Sequence, residues 1–516
     1  MPVCVQRASD LSEAIARAAD LGDIIELRLD CFPEEILSQA SNEIRALLKS
    51  RSRPTILTLR PAEFGGARAI SLGDRLFYRL HYAWIHSSGE RGTDLWDLEA
   101  DLALVLQQRD REGNDLLQLG VCDWTKTICS YHDFVGVPSD LEQIYQEMAA
   151  TPARIVKIAA QADDAVDCLP VFHLLARAGR EGREMIAIAM GPAGIVTRIL
   201  GPSRGSFLTY GSLDDESATA PGQLTARELR EVYRIDQIDR QTEITGLIGC
   251  PVGHSISPHI HNAAFAASNV NAVFIPFEVR DVHGFMRRMV RESSRELDLN
   301  FRGFSVTAPH KTAVVKHLDW IEPAAREIGA VNTIVVQDGG LHGYNTDASA
   351  FIDPLKGRFD SFENVRCAVI GAGGAGRAAI FALQQAGASC SLFARDVENA
   401  KLMVAKFRVD ARDLAEADFE GFDVVVNATP LGTRGKLEAE TPATAAQLRG
   451  VRLAYDLVYN PVETQFIREA RAAGCETLGG LEMLVAQAVE QFKLWTNTEP
   501  DVATMRVAAE RKLGTG

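Results

Sequence analysis

The chain has 516 residues, a length that predicts two or more domains because single hydrophobic cores rarely extend beyond about 250 to 300 residues. Hydrophobic residues make up 46% of the sequence and charged residues 24%, the ordinary balance of a globular protein. The formal net charge of −15 disfavours nucleic acid and anionic membranes as partners and leaves small molecules as the expected ligands.

The first segment, MPVCVQRASDL, does not read as a secretory signal, because Arg7 and Asp10 interrupt it before an apolar core develops. No uncharged apolar run long enough to cross a membrane follows it. The nine cysteines show neither a CxxC pair nor metal-ligand spacing, which predicts free thiols in a reducing compartment and no metal site. We therefore expect a soluble cytoplasmic protein.

Eight short apolar segments alternate with helical stretches from residue 1 to about residue 236 and predict a parallel (β/α)8 barrel, with a doubly wound open sheet as the alternative. The segments are PVCVQRA, DIIELRLD, PTILTLR, TDLWDLEAD, KTICSYHDF, RIVKIAA, EMIAIAMG and SFLTYGS. Polar side chains gather at the C-terminal ends of these segments, where barrel enzymes build their active sites. They are Glu26, Arg28, Asp30, Arg60, Glu99, His132 and Lys157.

Lys157 lies inside the apolar segment RIVKIAA, where an unpaired ammonium is costly. One interpretation is a structural lysine whose amine reaches the strand end. The other is chemical, because burial disfavours the ammonium and so favours a neutral, nucleophilic amine. His132, one strand earlier, is suited to move a proton, and its alternative is a hydrogen-bonded rim histidine.

The polar segment LTARELREVYRIDQIDRQTE ends the barrel, so the domain boundary is expected between residues 236 and 243. Residues 244–345 again alternate strands with helices and predict a second domain. Residues 346–516 are expected to form a nucleotide-binding lobe of Rossmann type.

A glycine loop, GAGGAG, directly follows the strand CAVI and directly precedes a helical run. Gly371, Gly373 and Gly376 have the GxGxxG spacing, which permits a tight turn and lets the helix N-terminus bind a pyrophosphate. We expect these three glycines and Gly374 between them to contact a dinucleotide. The alternative is an ordinary glycine turn.

The next two strands complete the expected cofactor site. SCSLFARD places Arg395 at a strand end, where a guanidinium can bind a 2′-phosphate and favours NADP, although the adjacent Asp396 is typical of NAD sites. DVVVNATPLGT predicts a further strand whose end, with Asn427 and Thr429, faces the cofactor.

The second half of the chain resembles shikimate dehydrogenases in five segments that follow in the order of that family: GCPVGHSISPHIHN, GFSVTAPHK, GAVNTI, GYNTDASAF and GGLEMLVAQA. The first half resembles type I 3-dehydroquinate dehydratases through ELRLD, TLRPAEFGG, SYHDF, IVKIA, GIVTR and APGQ. The whole chain is thus similar to fused enzymes that dehydrate 3-dehydroquinate and then reduce 3-dehydroshikimate to shikimate with NADPH. The resemblance also implies that the C-terminal helices return to the substrate-binding lobe.

For the dehydratase, the resemblance makes Lys157 the Schiff-base residue and His132 the proton-transfer group. It places the substrate carboxylate on Arg198, a residue type whose fork suits a carboxylate. It completes the pocket with Thr219, Gln223, Glu26, Arg28 and Arg60. Two positions depart from the family: Phe64 stands where a glutamate is usual, and Thr219 replaces a serine. We assign no role to Glu63, next to Phe64.

For the dehydrogenase, the resemblance makes Lys311 and Asp347 the paired groups that stabilise and protonate the forming alkoxide. It assigns the carboxylate and the ring hydroxyls of the substrate to Ser255, Ser257, Tyr459, Thr307, Asn332 and Gln487. Ser305 stands where the family commonly has asparagine, which weakens discrimination between shikimate and quinate.

Two other functions fit parts of the sequence. A regulator built from pathway-enzyme folds would keep ligand binding and lose the reactive groups, yet all four reactive side chains are present here. A Schiff-base aldolase would share the barrel and the lysine, but Arg198 and the APGQ loop favour a carboxylated ring as the substrate.

Overall fold

The computed structural model describes residues 1–81, 94–113, 122–398 and 400–514. The chain divides into two compact units. The first unit comprises Met1–Thr242 and the short segment Pro276–Asp281, and the second comprises Glu243–Ile275 and Val282–Gly516.

The first unit is built on one parallel sheet whose strands pair in chain order. Its described strands are β1 (Pro2–Val3), β2 (Ile25–Arg28), β3 (Thr55–Thr58), β4 (Leu95–Glu99), β5 (Thr127–Asp133), β6 (Ile155–Gln161) and β7 (Glu184–Met190). Helices lie between the strands, at Ala8–Leu21, Glu34–Ser50, Leu72–His81, Ala100–Arg111, Leu141–Ala149, Cys168–Arg180 and Ile195–Leu200. Sequential parallel pairing with intervening helices is the arrangement of a (β/α)8 barrel, so the predicted fold class is confirmed.

The eighth apolar segment, SFLTYGS, is not a strand within the part of the chain that the structure describes. It pairs with β7 through a single bridge between Ser206 and Met185. The Ser206 hydroxyl then donates to the carbonyl of Leu208 at 3.0 Å, a local bond that competes with a strand ladder. Tyr210 nevertheless packs among the interior side chains of the sheet, so the segment still contributes to the core.

Two cysteines of the first unit are joined rather than free. Cys4, just after β1, and Cys31, in the turn after β2, form a disulfide with their Cα atoms 5.5 Å apart. The prediction of free thiols is therefore wrong for this pair, because the parallel pairing of β1 with β2 brings the residues after both strands side by side. The remaining seven cysteines are free thiols.

The second unit begins with a mixed sheet of strand order β11-β13-β12-β10-β8-β9. Its strands are β8 (Glu243–Gly249), β9 (Ala272–Glu278), β10 (Phe301–Val306), β11 (Trp320–Ile321), β12 (Thr333–Gln337) and β13 (Gly340–Tyr344). The helices that accompany it are Ser257–Ala267, Val282–Phe285 and Pro323–Ile328.

A third, parallel sheet has the order β16-β15-β14-β17-β18-β19, the 3-2-1-4-5-6 pattern of dinucleotide-binding folds. Its strands are β14 (Arg366–Ile370), β15 (Ser389–Ala394), β16 (Asp410–Asp413), β17 (Val424–Asn427), β18 (Leu453–Asp456) and β19 (Glu476–Leu478). The helices around it are Asp347–Lys356, Gly374–Gln385, Lys401–Phe407 and Gln465–Ala472.

The last two helices, Leu481–Thr496 and Val502–Gly514, pack on the mixed sheet. Trp495 is buried there, and its indole N–H donates to the carbonyl of Ile334 in β12 at 3.0 Å. The helix Leu481–Thr496 also places Met483 in the core of the parallel sheet, so it links the two sheets of this unit. Among the helices of the described residues, none is long and apolar enough to cross a membrane.

Candidate active sites

A cavity in the first unit brings together every barrel residue that the sequence singled out for catalysis or substrate binding. Its lining includes Glu26, Arg28, Arg60, His132, Lys157, Arg198, Thr219 and Gln223. The strand register explains the grouping, because Glu26 pairs with Ile56 and Ser130 pairs with Lys157 across neighbouring parallel strands. Chain segments far apart in sequence thus supply one pocket.

Lys157 is buried on β6, and its amine contacts a carboxylate that the sequence analysis did not select. The Lys157 Nζ donates to Asp97 Oδ2 at 2.7 Å, and Arg60 Nη2 donates to the same oxygen at 2.7 Å. Burial lowers the pKa of Lys157 below its usual 10.5, Asp97 opposes that shift, and the nearby Arg60 cation adds to it. A neutral amine is therefore accessible at lower pH than for a lysine in water.

Asp97 is itself wholly buried, with Oδ1 lacking a hydrogen-bond partner among the described residues. Burial alone would raise the pKa of its carboxyl, but Lys157 and Arg60 outweigh that effect and hold it well below its usual range. The signal in the sequence was an acidic residue between Trp96 and Leu98, although TDLWDLEAD holds three further acidic residues. That signal resembles the one that identified Lys157.

His132 lies on β5 with 8% of its surface exposed, and its Nδ1 has no partner among the described residues. Burial lowers the pKa of His132 well below 6.5, and the cations of Arg60 and Lys157 lower it further. The imidazole is therefore neutral at pH 7 and able to accept a proton.

Arg198 is a buried cation without an anionic partner in the described structure. Its Nη2 donates to the carbonyl of Pro221 at 3.2 Å, and its Nε is unpaired. Burial lowers the pKa of Arg198 to about 10. Beside it, Gln223 Oε1 accepts from the backbone N–H of Thr219 at 2.8 Å, which orders the loop around the guanidinium. This arrangement suits an anionic ligand such as a carboxylate.

The other two arginines of the cavity already have partners. Arg28 donates through Nε and Nη2 to both oxygens of Asp30, at 2.9 and 2.7 Å. Arg60 donates to Asp97 and, at 3.3 Å, to Glu99. Glu26 accepts from the Thr58 hydroxyl at 2.7 Å. These groups therefore shape the wall of the cavity, and only Arg198 has an unused fork.

Two aromatic side chains complete the cavity. Phe64 lines it, whereas the neighbouring Glu63 is exposed. Tyr210, which the sequence analysis did not select, places its ring centroid 4.6 Å from Lys157 Nζ. A ring face at that distance stabilises a positive charge on the nitrogen.

In the second unit, Lys311 and Asp347 form an ion pair with Nζ and Oδ2 2.5 Å apart. Asp347 is the first residue of the helix Asp347–Lys356, and its Oδ1 accepts from Asn332 Nδ2 at 2.8 Å. Asn332 also exchanges hydrogen bonds with Thr346. The structure thus brings three of the predicted residues, Lys311, Asp347 and Asn332, into one hydrogen-bonded group.

The residues predicted to bind the substrate carboxylate also lie together. The Ser255 hydroxyl accepts from the backbone N–H of Ser257 at 3.2 Å and is hydrogen-bonded to Tyr459. Burial raises the pKa of Tyr459. The Ser255 and Tyr459 hydroxyls therefore meet at the start of the helix Ser257–Ala267, whose first residue is Ser257.

The remaining predicted contacts are less direct. Thr307 directly follows β10, and its backbone N–H donates to the carbonyl of Ile248 at 2.9 Å. The Gln487 amide donates to the carbonyl of Leu484 in its own helix, while its main-chain carbonyl accepts from Thr346 at 3.4 Å. Ser305 is buried, and its hydroxyl donates to Gln491 at 2.7 Å.

The glycine loop has the geometry of a dinucleotide site. Gly371 has φ of +114°, which L side chains rarely adopt. A Cβ on Gly376 would lie 2.0 Å from the carbonyl oxygen of Gly371, so this glycine permits the helix to approach the strand. A Cβ on Gly373 would meet nothing within 4 Å, which leaves open space at the N-terminus of the helix Gly374–Gln385. The loop therefore fits a pyrophosphate.

The other cofactor residues divide into two groups. Arg395 directly follows β15 and is exposed, as is Asp396. Asn427 is fully buried: its amide donates to Asp456 at 2.9 Å, and its Oδ1 accepts from the backbone N–H and hydroxyl of Thr429. The buried Asn427 side chain therefore fixes the start of the loop after β17, and Thr429 lies in that loop.

Comparisons with known proteins agree with this division. Residues 1–240 match the family described as type I 3-dehydroquinase. Residues 247–334 match the shikimate dehydrogenase substrate binding domain, residues 359–450 a putative NAD(P)-binding family, and residues 480–510 the shikimate 5′-dehydrogenase C-terminal domain.

Individual relatives cover either the whole chain or its second half. The chloroplastic bifunctional 3-dehydroquinate dehydratase/shikimate dehydrogenase of Arabidopsis thaliana is 33% identical across 96% of this chain and 81% of its own length. The NADP(+) shikimate dehydrogenase of Moorella thermoacetica is 38% identical across 54% of this chain and 96% of its own. A crystal structure of a shikimate dehydrogenase in complex with NADP+ is 35% identical across 54% of this chain and 97% of its own, with a TM-score of 0.49.

The plant relative is chloroplastic by name, so the expected cytoplasmic location of this protein stays a prediction. The match to the plant protein over nearly the whole chain shows the family. The chain belongs to the bifunctional 3-dehydroquinate dehydratase/shikimate dehydrogenases.

Proposed function

We propose that the chain catalyses two consecutive reactions, the dehydration of 3-dehydroquinate to 3-dehydroshikimate and the NADPH-dependent reduction of that product to shikimate. The observation that carries the first reaction is the barrel cavity. It combines a buried amine, a neutral imidazole and a guanidinium that has no anionic partner among the described residues, which are the groups needed to attack a ketone, move a proton and bind a carboxylate.

The dehydration begins when the neutral amine of Lys157 attacks the substrate ketone and water leaves to form an iminium. The positive nitrogen withdraws electrons and acidifies the adjacent C2–H. The carboxylate of Asp97, 2.7 Å from Nζ, and the ring of Tyr210 both favour the cationic nitrogen. The free lysine is regained when water hydrolyses the imine of the product.

The proton transfers fall to His132. Its neutral imidazole removes the C2 proton, and the imidazolium then donates a proton to the departing C1 hydroxyl, so that one water leaves across C1 and C2. Arg198 holds the substrate carboxylate and thereby fixes which ring carbons face His132. Thr219 and Gln223 complete this pocket beside the guanidinium.

The reduction uses the second unit. NADPH, when bound, supplies a hydride for the carbonyl carbon, and the glycine loop with Gly371, Gly373 and Gly376 would hold its pyrophosphate. Lys311 donates the proton that the carbonyl oxygen gains, and Asp347, 2.5 Å away, orients the ammonium, which regains its proton from solvent. Arg395 would bind the 2′-phosphate.

The other residues of the second unit position the substrate. Ser255, Ser257 and Tyr459 present three hydroxyls for the carboxylate, and Asn332 and Thr307 would contact ring hydroxyls. Gln487 would have to turn its amide away from Leu484 to reach the ring. Asn427 would not contact the cofactor itself and would instead position the loop that carries Thr429.

A coupled assay tests both reactions together. The full-length protein is given 3-dehydroquinate and NADPH, and the loss of NADPH absorbance is followed. We expect consumption of the cofactor and accumulation of shikimate rather than quinate, because the first site supplies 3-dehydroshikimate to the second. An aldolase in the barrel would leave NADPH unchanged with 3-dehydroquinate, although added 3-dehydroshikimate would still consume it.

A further inference from the structure

The loop GAGGAG contains a glycine that the dinucleotide fingerprint does not explain. The GxGxxG spacing requires glycine at positions 371, 373 and 376, for the turn, the approach of the pyrophosphate and the packing of helix on strand. Gly374 occupies an unrestricted position of that pattern. It also lacks the positive φ that would demand glycine, so its backbone accepts an alanine without strain.

The space beside Gly374 is occupied by the stem of Lys311. A Cβ at position 374 would lie 2.8 Å from Lys311 Cδ, 2.9 Å from its Cβ and 3.4 Å from its Cγ. Two of these contacts are shorter than real Cβ atoms show, and Lys311 Cβ is fixed to the backbone, so bond rotation alone cannot relieve both. The neighbouring Gly373 and Gly376 have no comparable contact with Lys311.

The far end of the same lysine is fixed as well. Its ammonium is paired with Asp347, whose other oxygen is held by Asn332. Lys311 is therefore held between the glycine loop at its stem and the Asp347 carboxylate at its tip. Movement of the stem by a few tenths of an ångström moves the ammonium relative to both Asp347 and the substrate.

We infer that Gly374 is a positioning residue for Lys311: it is glycine so that the stem of the proton donor can lie directly against the cofactor loop. This inference rests on the proposed function of Lys311. It assigns Gly374 a role in the proton-transfer step, separate from the phosphate contact expected of the loop, and it places the proton donor and the cofactor loop in direct contact.

The test compares alanine at two adjacent positions of one loop. In Gly374→Ala, kcat for shikimate oxidation should fall about 10²-fold, the effect of misplacing a reacting group by roughly an ångström. The dissociation constant of NADP+, measured by fluorescence or calorimetry without shikimate, should change less than about threefold. In Gly373→Ala, the pattern should reverse, because a Cβ there meets no protein atom within 4 Å and would enter the space proposed for the pyrophosphate.

A third variant gives the baseline. Gly357 ends the helix Asp347–Lys356 with φ of −80°, and a Cβ there would meet nothing within 4 Å, so Gly357→Ala should match the parent in both measurements. A parent-like kcat in Gly374→Ala would overturn the inference. So would a loss of kcat accompanied by an equal loss of NADP+ binding, since that pattern indicates a phosphate contact.

A double variant keeps the inference testable if Gly374→Ala fails to fold. Lys311→Gly removes Cβ, Cγ and Cδ together, so adding Gly374→Ala to it should change the residual rate by less than about twofold. A folded double variant beside a misfolded single one would support the clash with Lys311, and misfolding of both would overturn it. If Lys311→Ala had no effect on oxidation, the proposed function of Lys311 would fail instead.

Discussion

Each of the two units contains a lysine paired with an aspartate, and the two pairs differ in how deeply they are buried. In the first unit, 4% of the Lys157 side chain and none of the Asp97 side chain is exposed. In the second, 18% of the Lys311 side chain and 6% of the Asp347 side chain is exposed. In the proposed function, the same pair of residue types serves a covalent nucleophile at one site and a proton donor at the other.

Burial and the partners of the two carboxylates distinguish the two sites. Asp97 shares the oxygen that binds Lys157 with the cation of Arg60, which repels an ammonium and favours the neutral amine. Asp347 instead accepts its other hydrogen bond from the neutral amide of Asn332. The comparison teaches that burial lowers the pKa of Lys157 and that the Arg60 cation adds to this effect, whereas the carboxylate beside Lys311 is held by an uncharged amide.

The largest effect is expected from Lys157→Arg, which keeps the charge and removes the nucleophile. Dehydration should fall by at least about 10⁴-fold, because a guanidinium stays protonated at neutral pH and forms no imine. Borohydride added during turnover should label the parent at the peptide that contains Lys157 and should leave the variant unlabelled. The exposed Lys126→Arg serves as the control and should keep both the rate and the label. An active, unlabelled Lys157→Arg would return Lys157 to the structural interpretation.

Lys311→Ala should lower shikimate oxidation by roughly 10² to 10⁴-fold, the contribution of a positioned acid or base. Asp347→Ala should act on the same step, and the double variant should be little worse than either single one, since the two groups work as a unit. Dehydration, measured on the same preparations, should continue unchanged. Lys316→Ala, an exposed lysine in the same segment, provides the matched control. Additive losses would contradict a shared role.

Asp97→Asn sharpens the comparison through pH. The charged groups that act on Lys157 are Asp97, which favours the ammonium, Arg60, which disfavours it, and Glu26, which favours it. Loss of the Asp97 charge should lower the pKa of Lys157 further, so the acidic limb of kcat/KM for dehydroquinate should move to lower pH.

The same change leaves Arg60 without its closest anion, and we expect the barrel to lose about 3 kcal/mol of stability in urea unfolding. Asp101→Asn is the control, because Asp101 is paired with Arg75 and is 38% exposed. The acidic limb of kcat/KM for dehydroquinate in Asp101→Asn should stay at the same pH as in the parent. A shift of the Asp97→Asn limb to higher pH would show that water entry, rather than lost charge, dominates.

The smallest effect is expected from Arg395→Ala. Loss of a charge-assisted contact to the 2′-phosphate should raise KM for NADPH by at least about tenfold. KM for NADH, which lacks that phosphate, should barely change and serves as the internal control. Equal use of NADPH and NADH by the parent would contradict the assignment of Arg395 to the 2′-phosphate. The adjacent Asp396, a residue type typical of NAD sites, would then be the physical reason.

Much of the fold and part of the candidate sites could be predicted because the sequence patterns that indicate them are local. Seven of the eight apolar segments form parallel strands, and the glycine loop joins a strand to a helix as its spacing indicates. Lys157 attracted notice because a charge inside an apolar segment is costly. Each of these features depends on a few residues that are neighbours in the sequence, so it can be recognised before the fold is known.

What could not be predicted depends on contacts between distant residues. The bond from Lys157 to Asp97 spans 60 positions, and nothing local indicates it. The disulfide between Cys4 and Cys31 depends on the pairing of β1 with β2. The eighth segment has an apolar pattern, yet the hydroxyl of Ser206 bonds locally to Leu208 and the ladder stops after one bridge.

The absence of an anionic partner for Arg198 among the described residues has a consequence for the stability of the protein and its resistance to proteolysis. A buried cation without an anion lowers the stability of the empty barrel, and a bound carboxylate restores it. Ligand at one hundred times its dissociation constant stabilises a folded protein by about 2.7 kcal/mol. We therefore expect 3-dehydroquinate to raise the melting temperature and slow proteolysis of the barrel in the parent more than in Arg198→Ala, so that the supply of substrate controls how long the enzyme lasts.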